Sequence, residues 1–288
     1  HYHSLGYSVV PIIPNDKACK IDQWNSLDRD HLLTKFLPEH GVGIRLDSGL
    51  GAIDVDVYHA DICKLVRDFI DLQIGVHPYR IGEAPKFMIV VRCPEITSKF
   101  TSAKYRDHNG VINAIEFLAG SGCQFVADHI HPDTGLPYTW HRGELCAAED
   151  IITIPASIIH DTISYFESLA DGLGWTRIIN TRPSTVLTPE QQTYNGLYNV
   201  GDLLVNYGWK RHGDKFTRPG KRTSTSGTLS GNTFYCFTSG TELVENTVLR
   251  PWDIVLAYSF NGDTAAMAAH VSEVILGSVR SAGFGGDT

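Results

Sequence analysis

Two carboxylates separated by a single apolar residue, Asp54 and Asp56, sit inside the apolar run Ala52-Ile53-Asp54-Val55-Asp56-Val57. Strand side chains alternate between faces, so this spacing puts both acids on one face and Ile53, Val55 and Val57 on the other. Desolvating one carboxylate is costly, and placing a second beside it adds repulsion. A divalent cation relieves both, and Mg²⁺ or Mn²⁺ held by carboxylates commonly partners substrate phosphates. The alternative is a half-exposed strand with a polar face.

Three further groups have types suited to the same chemistry. In the run Ile112 to Leu118, period two aligns Ile112, Ala114 and Glu116, making Glu116 a candidate third metal ligand. The turn Arg80-Ile81-Gly82-Glu83-Ala84-Pro85-Lys86 presents two cations, Arg80 and Lys86, at the mouth of an apolar strand, where they would suit a triphosphate. Pro132-Asp133-Thr134-Gly135 has the residues of a tight turn, and His131, Tyr138 and Trp140 flank it as an imidazole and two stacking surfaces.

The elements that must position these groups can be read from patterning. Strands are expected at Tyr7 to Ile13, Phe87 to Val91, Val111 to Leu118 and Gln124 to Ala127. Val42 to Leu46 and Ala52 to Val57, joined by Asp47-Ser48-Gly49, read as a β-hairpin. Helical spacing appears in Ser26 to Leu37, capped by Ser26 or Asp28, in His59 to Ile70 and in Ile158 to Leu169. Mixed strands and helices around a central hairpin indicate an α+β or α/β domain. A polar connector from Asn180 to Gln192 divides the chain into residues 1–179 and 180–288. The second part reads as small and mainly helical, with helices at Gly196 to Tyr207 and within Pro251 to Val279. Between them lie a basic Gly/Ser/Thr-rich segment, Lys210 to Gly231, and the aromatic run Phe234 to Phe237.

In this order the motifs resemble the archaeo-eukaryotic primase superfamily, specifically the bifunctional primase-polymerase domain of phage and plasmid replication proteins. The resemblance spans roughly residues 4 to 175. It rests on Gly6 to Pro11 with Trp24, Gly43-Ile44-Arg45 before the Asp54/Asp56 strand, Arg80 to Lys86, Glu116, Gln124-Phe125-Val126, Ile130 to Gly135 and Tyr138-Thr139-Trp140. It implies an RRM-like catalytic core with flanking helices, and two-metal nucleotidyl transfer by Asp54, Asp56 and Glu116 with Mg²⁺ or Mn²⁺. Nucleotide contacts fall to Arg80, Lys86 and His131, and template or nucleotide contacts to Arg45, Gln124, Tyr138 and Trp140. Lys86 stands where the family places a nucleotide-contacting histidine; His77 is nearby but precedes the turn.

The implied partners are a single-stranded DNA template, nucleoside triphosphates and a helicase domain or protein. No Walker A loop occurs, so the chain reads as the primase portion of such a system. Arg218 and Lys221, with the aromatics at 234–237, would suit a single strand. Net charge is −8 overall; 15 Lys and Arg face 23 Asp and Glu before residue 180, and 9 face 9 after it. An acidic bulk with local basic patches still admits a polyanion beside a metal. The six scattered cysteines include no Cys-x-x-Cys pair, which argues against a zinc ribbon or disulfide scaffold and for a reducing cytoplasm. No apolar run reaches the roughly 20 residues that a membrane span requires. Rival readings are a nuclease, a sugar-nucleotide transferase gripping a diphosphate, and a catalytically silent origin-binding module.

Overall fold

The acidic strand runs through the middle of the larger of two sheets. A computed structural model describes residues 1–222 and 224–283, and the chain separates into two units, His1–Arg177 and Ile178–Thr288. The first unit begins with β1 (Val9–Ile12), α1 (Arg29–Leu33), β2 (Gly41–Arg45), β3 (Leu50–Asp56), α2 (Ala60–Ile74), β4 (Tyr79–Ile81) and β5 (Phe87–Arg92). It continues through β6 (Phe100–Thr101), β7 (Tyr105–Arg106), β8 (Ile112–Ala119), β9 (Gln124–Asp128), β10 (Thr139–His141), α3 (Ala156–Gly172) and β11 (Thr176–Arg177). One sheet has the order β1-β2-β9; the other runs β10-β4-β5-β3-β8-β7-β11, with β6 also paired to β8. The paired strands are antiparallel, which fixes the class as α+β.

The period-two pattern of β3 governs the packing. Ile53, Val55 and Val57 are fully buried and join Phe87, Ile89, Val91, Ile115 and Phe117 beneath α2 and α3. Those helices contribute Ile62, Val66, Ile70, Ile159, Ile163 and Phe166, spaced at three and four residues as an amphipathic helix requires. On the other face, Leu50, Ala52, Met88 and Val90 pack against Val9, Ile44, Phe125 and Ala127 of the smaller sheet. That cover ends where Asp54 and Asp56 begin, leaving both half-exposed. The acid pair therefore lies on the floor of a cleft between two sheets.

Two expectations for this unit need correction. The segments joined by Asp47-Ser48-Gly49 do not form a hairpin: β2 pairs with β1 and β9, whereas β3 pairs with β5 and β8. Ser48 (φ 53°) and Gly49 (φ 78°) turn the chain from one sheet into the other. Both strands are covered on two sides at this point, which a hairpin with a solvated face would not need. The first helix is shorter than expected. Asp28 caps it by accepting from the backbone N–H groups of Asp30 and His31, but it stops at Leu33, and Leu37 is exposed.

The second unit is not simply helical. Its helices are α4 (Pro189–Leu197), α5 (Val200–Asn206), α6 (Pro251–Phe260) and α7 (Thr264–Gly283). Between them runs an antiparallel meander of β12 (Lys210–His212), β13 (Lys215–Thr217), β14 (Gly227–Ser230), β15 (Thr233–Cys236) and β16 (Thr247–Leu249). The stretch expected as one helix, Gly196 to Tyr207, breaks at Tyr198. Asn199 caps α5 by accepting from the Asp202 N–H. Phe216, Phe234 and Cys236 are buried under the sheet, and Tyr235 points away. Among the described residues, no helix is long and apolar enough to cross a membrane.

Candidate metal centre and its surroundings

β3 and β8 register Asp54 directly opposite Glu116, and Asp56 follows two residues along the same face. Directly opposed residues of an antiparallel pair project to the same side. Sequence pattern and strand register thus bring the three carboxylates together, with their ligand atoms all within 4.8 Å of one another. Glu116 is buried behind the two half-exposed aspartates. Three hard anionic oxygens at this separation fit a divalent cation such as Mg²⁺ or Mn²⁺.

The electrostatics show what the cluster costs the protein. Burial, followed by repulsion from Asp56, pushes the Asp54 carboxyl up to about 7; Arg80 and Lys86 oppose this, and Glu116 adds to it. Lys99 Nζ lies 3.0 Å from Glu116 Oε2, and Lys86 Nζ 3.6 Å from Asp56 Oδ1, so both ammoniums offset part of the charge. Lys86 also reaches Glu83 at 2.5 Å and donates to the Tyr58 hydroxyl at 2.9 Å. Its own burial disfavours the ammonium, but Asp56, Tyr58 and Glu83 outweigh that and raise its pKa.

His131 sits on the same side of the cleft and is buried. Its Nδ1 accepts from the backbone N–H groups of Asp133 and Thr134, each at 3.3 Å, which leaves Nε2 to carry the ring proton. Burial and then Lys17 lower its pKa to about 4, keeping the imidazole neutral near pH 7. The ring lies against Tyr138, and both approach Gly82 closely. A Cβ there would meet Tyr138 Cε1 at 2.3 Å and His131 Cδ2 at 2.9 Å. Glycine at position 82 therefore lets the turn before Lys86 close onto the His131 turn.

Several other expected contact residues are engaged internally. Arg80 is buried; its Nη1 donates to the Val126 carbonyl, and its guanidinium lies 4.6 Å from the Tyr138 ring centre. It ties the large sheet to the small one beside Asp54 and acts as a positioning group. Arg45 pairs with Asp47 at 2.8 Å and donates to the carbonyls of Trp24 and Leu27. Tyr138 is buried, and the Trp140 indole N–H donates to the Tyr2 hydroxyl and the Ala127 carbonyl. Gln124 donates to the Lys17 carbonyl at 2.6 Å. In the second unit, Arg218 donates to the Pro219 carbonyl and packs its guanidinium against Gly240, while Lys221 is half-buried.

Sequence reading missed Lys17. Its backbone is held from both sides: its N–H donates to Asp16 Oδ1 at 2.7 Å, and its carbonyl accepts from Gln124. The side chain is 44% exposed and reaches Asp133 at 3.8 Å. Burial and then the Lys86 charge lower its pKa, while Asp133, Asp56 and Asp54 oppose this. The available signal was a lysine following a Pro-Asn-Asp turn, but its partner lies 116 positions away along the chain. Tyr58, two residues past Asp56 and with its ring centre 4.3 Å from Lys86 Nζ, was also missed. No family model matches this chain, and no curated protein matches it.

Proposed function

We propose that this protein is a DNA-templated nucleotidyltransferase, a primase and DNA polymerase, whose first unit joins a 3′-hydroxyl to the α-phosphate of a nucleoside triphosphate and releases pyrophosphate. The observation that carries this reading is the convergence of Asp54, Asp56 and Glu116 on one cleft floor, with Lys86 beside Asp56. The ordered motifs set out above agree with it. Mg²⁺ or Mn²⁺ held by the three carboxylates would supply Lewis acidity at the attacking hydroxyl and offset charge on the departing pyrophosphate.

The chain's own residues prepare the site. A triphosphate approaching three carboxylates meets repulsion, so fixed cations are needed close by. Lys86 supplies one that stays protonated, being held between Asp56 and Glu83. Lys17 supplies a second on a loop anchored by Asp16 and Gln124. Arg80 and the neutral His131 fix the cleft wall against which the triphosphate would lie, and orientation of this kind is a major source of rate enhancement.

In the second unit, strand register lines up Lys215, Thr228, Tyr235 and Val248 across the exposed face of the meander. A cation and an exposed aromatic two strands apart on one face would suit a single-stranded template, by charge on the backbone and stacking on the bases. This row would act alongside Arg218 and Lys221 as a template contact. A helicase that exposes single-stranded template would be the natural upstream partner.

The test is incubation with a single-stranded template, labelled NTPs or dNTPs and Mn²⁺ or Mg²⁺, with and without primer. Template-dependent products that vanish in Asp56→Ala and Glu116→Ala proteins are expected. Strand shortening that needs no nucleotide would instead mark a nuclease, and strand binding without turnover a silent origin-binding module.

A further inference from the structure

Beside the acidic cluster lies a cavity of about 270 Å³ lined by Ala18, Cys19, Trp24, Lys99, Leu118 and Gln124 among others. Two features connect it to the metal centre. Leu118 is two residues beyond Glu116 on β8, so it faces the same side about 7 Å further along. Lys99 borders the cavity and also contacts the Glu116 carboxylate at 3.0 Å. The cavity thus opens one nucleoside's reach from the carboxylates.

Its walls mix apolar and aromatic surface with the polar groups of Lys99 and Gln124, a combination that suits a base. Cys19 is buried, Trp24 is half-buried, and Leu118 adds a further apolar surface. Lys99 is the one cation among its lining residues, and it is already engaged with Glu116. The volume falls just below the range of about 300–1,000 Å³ for sites that enclose a whole drug-sized ligand. A base with its sugar would fit while the phosphates stayed outside. Trp24 is also held in place, since its carbonyl accepts from Arg45 Nη1 at 3.0 Å. Its loop continues from Lys17, so one segment carries a cation near the carboxylates and an aromatic ring at the cavity.

We propose that this cavity is the nucleoside subsite of the bound nucleoside triphosphate, with Trp24 as its stacking surface and Lys17 gripping the phosphates. The assignment rests on the nucleotidyl-transfer reading. Stacking on an aromatic face tolerates any base, as a template-directed enzyme requires when the template makes the choice. The subsite therefore accepts all four bases with similar affinity.

The experiment is calorimetric titration of the full chain, in Mn²⁺, with each of four NTPs and with inorganic tripolyphosphate. Trp24→Ala should weaken every NTP about ten- to a hundredfold and leave tripolyphosphate unchanged. Lys17→Ala should weaken both. Trp24→Phe keeps a ring and should retain most of the NTP affinity, while losing any fluorescence quenching that NTPs cause in the wild type. This second readout keeps the test decisive if the alanine variant does not fold. Equal weakening of NTP and tripolyphosphate by Trp24→Ala would overturn the assignment. So would an unchanged NTP affinity, a Trp24→Phe protein as weak as the alanine variant, or no NTP binding by the wild type. NTP binding through Trp24 in a protein that incorporates nothing would sink the polymerase reading and leave the subsite standing. Incorporation with an unaltered nucleotide KM in Trp24→Ala would do the reverse.

Discussion

Asp54→Asn should stabilise the metal-free protein at alkaline pH while removing the proposed activity. The folded state holds the Asp54 carboxyl at about 7, against an ordinary value of 3.8. A folded pKa raised above the unfolded one favours the protonated, folded form. That stability is complete below about pH 4 and is lost as pH rises through 7. The shift is about 3 units, or about 4 kcal/mol at 1.36 kcal/mol per unit. Half-exposure and coupling to Asp56 reduce the realistic gain to about 1–3 kcal/mol. Asparagine keeps a similar shape without the charge. For a unit of this size, each kcal/mol moves Tm by about 2–4 °C, so Tm should rise about 2–12 °C at pH 8 in EDTA. The gap should shrink to under half by pH 5, where folded Asp54 is protonated and only part of the penalty remains. His131, whose lowered pKa makes acid destabilising, is present in both proteins and drops out of the difference. Saturating Mn²⁺ should raise the wild-type Tm and move the variant much less. A variant no more stable than wild type at pH 8 in EDTA would refute the account of a strained carboxylate cluster, as would a gap that ignores pH.

Other outcomes follow from the same geometry. Lys17→Ala and Lys86→Ala should each raise the nucleotide KM about ten- to a hundredfold, the cost of one charge-assisted contact, with template affinity little changed in filter-binding assays. Gly82→Ala should lower unit-one stability by about 1–3 kcal/mol in urea titrations, because its methyl group would overlap the Tyr138 ring. A chain ending at Arg177 should extend a supplied primer but lose de novo initiation. In the full chain, Tyr235→Ala with Lys215→Glu should weaken single-strand binding and flatten its salt dependence.

The acidic centre was legible in the sequence because it depends on local spacing. Period two placed Asp54 with Asp56, and an apolar strand carrying one acid nominated Glu116. Register, which sets Asp54 opposite Glu116, follows from which strands pair, and the sequence does not record that directly. The misread hairpin shows the difficulty: a Ser-Gly turn between two strand patterns serves equally as a crossover between sheets. The near-continuous apolar character of Leu50 to Ile53 was the signal that this strand is covered on both faces. Arg45, Tyr138 and Trp140 were nominated by residue type, but Arg45 and Trp140 spend their polar atoms on neighbouring groups and the Tyr138 ring packs under Arg80. Lys17 and the nucleoside cavity depend on contacts between distant segments. The meander was missed because its strands are only three or four residues long and rich in Lys, Gly and Thr.

The crossover at Asp47–Gly49 has a consequence for how a polymer can occupy this protein. The Arg92 guanidinium donates to the carbonyls of Ser48 and Ala148, fastening the crossover to the chain beyond β10. The two sheets are thus joined at that end like the covers of a book at its spine. Asp54 lies four residues beyond Leu50, about 13 Å from the spine. A nucleic acid strand has no passage lengthwise through a cleft stitched shut at one end. Under the proposed function it would lie across the open edge and present one nucleotide at a time inward. The blind end would then act as a depth stop, fixing how far a reacting group can advance before it meets protein.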